Sequence, residues 1–108
     1  MGQDRREKIN KEIRKHFATF IERESNKTSL VTVTRCEIST DLKNVTVYIS
    51  VLPIEMEDSV LNFLNRRKRD ARDYIKKNIR IRVIPMVEFL IDYGEKNRQN
   101  IDQLLKNG

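Results

Sequence analysis

His16 is the only histidine in this sequence and Cys36 the only cysteine. A thiol nucleophile needs a base and a group that orients it, and no second histidine is there to complete the set. A zinc site drawn from three or four Cys and His ligands cannot be assembled either. A phosphate-cradling loop needs clustered glycines, whereas the three here stand alone at positions 2, 94 and 108. The Asp and Glu residues are mostly spread among Lys and Arg, the pattern of solvated helix faces. The sequence thus predicts no catalytic residue, no metal and no cofactor, and the chemistry that remains is ionic. Residues 65–82, NRRKRDARDYIKKNIRIR, hold nine cations (Arg66, Arg67, Lys68, Arg69, Arg72, Lys76, Lys77, Arg80 and Arg82) against Asp70 and Asp73. That is a local charge of +7 in a chain of +6, so the remaining residues sum to −1.

A charge run is most often a solvated helix face, but such faces mix signs. Like charges one helical turn apart repel and cost helix stability, so this excess points to a partner that neutralises it. Arg suits bidentate phosphate contact and Lys suits point-charge contact. A chain pI near 9.7 makes a polyanion the natural partner, nucleic acid before an anionic membrane, because the segment lacks the apolar face of an interfacial helix. Six phosphate contacts would give a salt slope of log K of about −4 to −5. Recognition of that kind reads backbone and shape rather than bases.

The elements that must position these cations follow from periodicity. At 108 residues the chain suits one domain, read here as 1–108, with little surface left for a deep small-molecule pocket. One cysteine fits a reducing compartment. The N-terminus lacks the apolar run of a secretory leader, and no window reaches the length of a membrane span. The expectation is a cytoplasmic protein with no membrane partner, and a monomer, since no helix carries a sustained heptad seam. Ile9, Ile13, Phe17, Phe20 and Ile21 recur at helical spacing over 5–24, with His16 at the boundary of that face. Residues 30–38 read as a strand holding Cys36 as a buried thiol. Residues 40–44 read as a turn, and 45–51 alternate as a half-buried strand, so the two strands form an antiparallel hairpin. Acidic Glu55, Glu57 and Asp58 open the next helix. Its apolar face runs through Leu61, Leu64, Ala71, Ile75 and Ile79 but is vacant near Arg67 and Lys68. Either their stems snorkel or the helix bends; a bend into two pieces of similar length is the favoured reading. Pro85 stops the helix. Residues 86–91 form a third strand and 95–105 a short terminal helix. The order α-β-β-α-α-β-α, with a three-stranded sheet covered on one face, is a two-layer α+β fold.

The usual devices for reading single-stranded bases are missing. No glycines form the GXXG clamp of a KH domain, and only Tyr48 is a candidate exposed strand aromatic for RRM-type stacking. The order of elements is nevertheless similar to a type II KH domain with a helix pair in place of the GXXG loop. The segment VTVTRCEISTDLKNVTVYISVL (31–52) resembles the hairpin of bacterial ribosome-binding factor A, through Thr32, Val33, Glu37, Ser39, Asp41, Leu42, Val47, Tyr48 and Ser50. RIRVIPMVEFLID (80–92) resembles its later motif through Arg80, Arg82, Pro85, Phe89 and Asp92. Ile101-Asp102-Gln103-Leu104-Leu105 fits its closing motif. Two features depart from the pattern: Arg67-Lys68-Arg69 stands where the family places an Ala-x-Gly kink, and Ser25-Asn26 where an Asp-Pro pair is common.

The resemblance implies a non-catalytic assembly factor that binds the immature small (30S) ribosomal subunit and its 16S rRNA and assists maturation. The rRNA-facing residues would be the nine cations of 65–82, with Arg5, Arg6, Lys8 and Lys11 as a candidate second contact. The runner-up from the residues alone is a generic nucleic-acid-binding module using the same basic helices.

Overall fold

The structure, a computed structural model, describes residues 2–25 and 29–94. The terminal helix predicted over 95–105, with its closing motif, lies outside the described residues. Helix α1 (Gly2–Glu24) is followed by strands β1 (Leu30–Ile38) and β2 (Asn44–Leu52), a short 3-10 turn (Ile54–Met56), helices α2 (Glu57–Arg66) and α3 (Lys68–Asn78), and strand β3 (Met86–Ile91). The sheet runs β1-β2-β3, with β1 antiparallel and β3 parallel to β2. A parallel neighbour requires a crossover, and α2 and α3 supply it. The α+β fold and the helical bend are those the sequence predicts.

The described helices α1, α2 and α3 pack on one face of the sheet. Ile13, Phe17, Phe20 and Ile21 of α1 meet Val45, Val47, Ile49 and Val51 of β2 and Val87, Phe89 and Ile91 of β3. Leu64, Ala71 and Ile75 close the core from α2 and α3. His16 is half-buried, 3.6 Å from Glu12 and edge-on to Tyr74, a boundary residue as expected.

Strand β1 contains a bulge that periodicity did not predict. Val33 pairs with Ile49, but the next pair is Arg35 with Tyr48, leaving Thr34 extra. The inward residues therefore switch parity, from Val33 to Cys36 and Ile38. An unshifted strand would have turned Cys36 and Ile38 to solvent. The Thr34 hydroxyl donates to Asp92 Oδ2 at 2.6 Å, tying the bulge to the end of β3. In the hairpin turn, Asp41 accepts from the Ser39 hydroxyl (2.6 Å) and the Lys43 N–H (3.0 Å). These bonds hold its carboxyl below the usual carboxylate range.

Burial pushes the Cys36 thiol from 9.0 up to about 12. A thiol whose folded pKa is raised stays neutral in the native state while the unfolded chain ionises. Its contribution is therefore intact below about pH 9 and declines as pH rises from 9 toward 12. Native protein at pH 8 should leave Cys36 unmodified by a water-soluble maleimide, and denaturant should expose one reactive thiol.

Candidate nucleic-acid interface

The helix break falls at Arg67, whose φ and ψ of −105° and 17° leave the α-helical range. Its N–H donates to the Leu64 carbonyl at 2.9 Å, and its own carbonyl accepts from Ala71 at 3.0 Å, so one residue ends α2 and starts α3. The two helices are 10 and 11 residues long. No glycine is needed, because Arg67 keeps a negative φ. Its side chain is held locally. The guanidinium lies 3.2 Å from Glu24 at the end of α1, 3.8 Å from Asp70, and 4.9 Å from the Phe63 ring centroid. Arg67 is thus a brace between α1 and the bend. Arg67→Ala should cost about 1 kcal/mol, the sum expected of a partly exposed ion pair and a cation–π contact. Denaturant titration measures it.

Arg72 is also committed inside the fold. Its Nε donates to the Pro85 carbonyl at 3.1 Å and a terminal nitrogen to the Ile84 carbonyl at 3.2 Å. It pins the connection 79–85 against α3 and sets the entry of β3.

The other cations are sorted by helix geometry. Residues three and four apart on a helix share a face. Lys68, Arg69, Arg72 and Lys76 form one flank of α3, the flank along which Arg72 holds the 79–85 connection. Arg66 is exposed at the end of α2, and Arg80 and Arg82 are exposed on that connection. Asp70, Asp73 and Lys77 form the opposite flank and line a groove against α1 together with Arg23 and Glu24. Both acids of the 65–82 run therefore border that groove. Asp73, four residues after Arg69 and three before Lys76, borders the flank of Lys68, Arg69 and Lys76, yet none of these three has an ion-pair partner among the described residues. Sequence reasoning grouped Lys77 with the rest; the structure places it with the two aspartates.

Of the candidate second contact, Arg5 and Lys8 are exposed. A terminal nitrogen of Arg6 donates to the Ile38 carbonyl at 3.2 Å, and Lys11 lines a groove along β1. Tyr48 lies on the open face of the sheet with the Arg35 guanidinium 4.0 Å from its ring centroid. Arg35 escaped the sequence reading because the bulge brings it opposite Tyr48; the switch in apolar parity along 31–38 is the signal that would have shown it. Among the described residues no three His, Cys, Asp or Glu groups could hold a metal ion. Among the same residues no helix is long and apolar enough to cross a membrane.

These observations define a class: a two-layer α+β domain that presents a flank of unpaired cations around a break between two helices. The sequence pattern of ribosome-binding factor A matches residues 5–105, and the chain belongs to that family. It is 45% identical over 76 residues to ribosome-binding factor A of Thermodesulfovibrio yellowstonii, a match covering 70% of this chain and 64% of that one. The matched stretch thus spans under two thirds of that relative's length. The crystal structure of ribosome-binding factor A from Thermus thermophilus superposes with a TM-score of 0.73 at 23% identity, covering 80% of this chain and 93% of that one. A second Thermus thermophilus structure, a homology model fitted into the cryo-EM map of a complex of that factor with 30S, gives a TM-score of 0.63 at 25% identity. It covers 73% of this chain and 86% of that one.

Proposed function

We propose that this chain is an assembly factor of the small ribosomal subunit. It binds the immature 30S particle through its 16S rRNA and assists rRNA processing and maturation, with no catalysis of its own. It works as a monomeric single domain in the cytoplasm. Family membership supports the reading, as does the 30S complex of the Thermus thermophilus factor. The observation that carries the interface is the sorting of α3: aspartates on the α1 side, unpaired cations on the other. Arg66, Lys68, Arg69, Lys76, Arg80 and Arg82 contact phosphates, while Arg67 and Arg72 hold the surface in shape. Lys77 sits at the margin.

Co-sedimentation with purified small and large subunits at physiological salt, in the presence of excess duplex RNA, tests this. The reading predicts retention on the small subunit alone. Equal retention on both subunits, lost to the duplex, would replace it with a generic polyanion binder. With six phosphate contacts, log K for the small subunit should fall with log salt at a slope of about −4 to −5.

A further inference from the structure

Strand β1 forms one outer edge of the sheet, and its two halves are treated differently. At the C-terminal end α1 closes the edge: the Ile38 N–H donates to Asn10 Oδ1 at 2.9 Å, and Arg6 donates to the Ile38 carbonyl at 3.2 Å. Over Leu30–Val33 no side chain among the described residues bonds that outer edge. A groove of about 920 Å³ runs there instead, between β1 and α1. Its α1 wall is Lys11, Arg14, Lys15 and Ala18, with Glu22 at one end. Its β wall is aliphatic apart from Thr32, and the pair Leu30 and Leu52 is 64% and 49% exposed at its mouth.

We propose that this groove receives an acidic polypeptide segment in extended conformation, added as a strand to the open edge of Leu30–Val33. An unpaired edge offers N–H and C=O groups at the spacing of another strand. Four residues at ~3.3 Å each give about 13 Å of ladder. Side chains alternate between the two faces of the sheet, so one set turns toward Lys11, Arg14 and Lys15 on the α1 side while the other lies beside Leu30 and Leu52 on the open face. The small Ala18 leaves room beside the helix. A nucleic-acid strand fits less well, because its phosphates could accept only from the edge N–H groups, whereas a polypeptide pairs with both the N–H and the C=O groups. The edge lies across the sheet from β3, over which α2 and α3 pack. The occupant and the rRNA-facing flank therefore do not compete, and the proposal stands without the rRNA reading.

The probe is an acetylated, amidated heptapeptide of alternating Glu and Val, titrated into the ¹⁵N-labelled full chain. Its twin carries methyl groups on the amides that would pair. The expected result is a Kd below about 1 mM and shifts centred on the amides of residues 30–33, with the α3 flank unmoved. The methylated twin should bind at least about tenfold more weakly, as should the unmodified peptide to R14E/K15E. Should R14E/K15E fail to fold, R14Q/K15Q provides the same comparison with a smaller loss. No shift at 30–33, equal binding by the twin, or displacement of the peptide from the groove by hexauridylate would each overturn the proposal.

Discussion

Reversing Arg69 and Lys76 together to Glu should weaken small-subunit binding about a hundredfold while leaving the fold intact. Each residue is exposed on the cationic flank of α3 and holds no ion pair among the described residues. Neither reversal breaks a contact within the domain. A hydrogen bond from a charged donor is worth roughly 1.5–3 kcal/mol, and about 1.4 kcal/mol is a factor of ten, so two lost contacts give the stated loss. The salt slope should become shallower by about one unit per contact removed. Lys77→Glu, one residue further along, should change affinity less than about threefold, because Lys77 faces the α1 groove with Asp70 and Asp73. Reversing Arg67 would be a poor test of the interface. A carboxylate there would sit beside Glu24 and Asp70 and disturb the bend itself.

Phe89→Ala should lower stability by about 3–5 kcal/mol, the usual range for removing a buried aromatic ring. Phe89 and Phe17 are both fully buried, and their rings meet edge-on at 5.9 Å and 85°. That contact joins α1 to the strand β3 that follows the crossover, so the cavity would open where the layers meet. For a domain whose total stability is on the order of 5–15 kcal/mol, the loss should drop the thermal midpoint by roughly 15–20 °C. Circular dichroism melting measures it. Leu90→Ala, on the open face next door, should stay within about 0.5 kcal/mol. A small shift for Phe89→Ala would mean that the two layers do not share one core.

The helix bend was legible because a vacancy in an apolar face needs only local sequence. Its composition was legible too, since Arg67 and Lys68 occupy the vacancy. What those residues do was not. Arg67 braces Glu24, 43 residues away, and Arg72 bonds carbonyls 12 and 13 residues on. Only the fold creates such partners. Charge counting therefore gave one basic patch of nine cations, where the structure has an exposed flank, two committed arginines and a lysine among acids. The bulge at Thr34 lies between these cases. The apolar parity changes between Val33 and Cys36 in the sequence itself, but an alternation read from one end of the strand passes over it. The parallel pairing of β3 with β2 had no local signal, because it depends on how the α2–α3 crossover returns to the sheet.

Lysine reactivity separates the two sides of α3, because Lys76 and Lys77 are neighbours in sequence and only Lys77 lines the groove against α1. The unaltered chain would be acetylated with and without bound small subunit, and each lysine quantified by mass spectrometry. The subunit should strongly protect Lys68 and Lys76, with Lys77 modified at nearly its free rate. Protection of Lys77 with Lys76 left reactive, or no protection on α3 at all, would contradict the placement of the rRNA-facing surface.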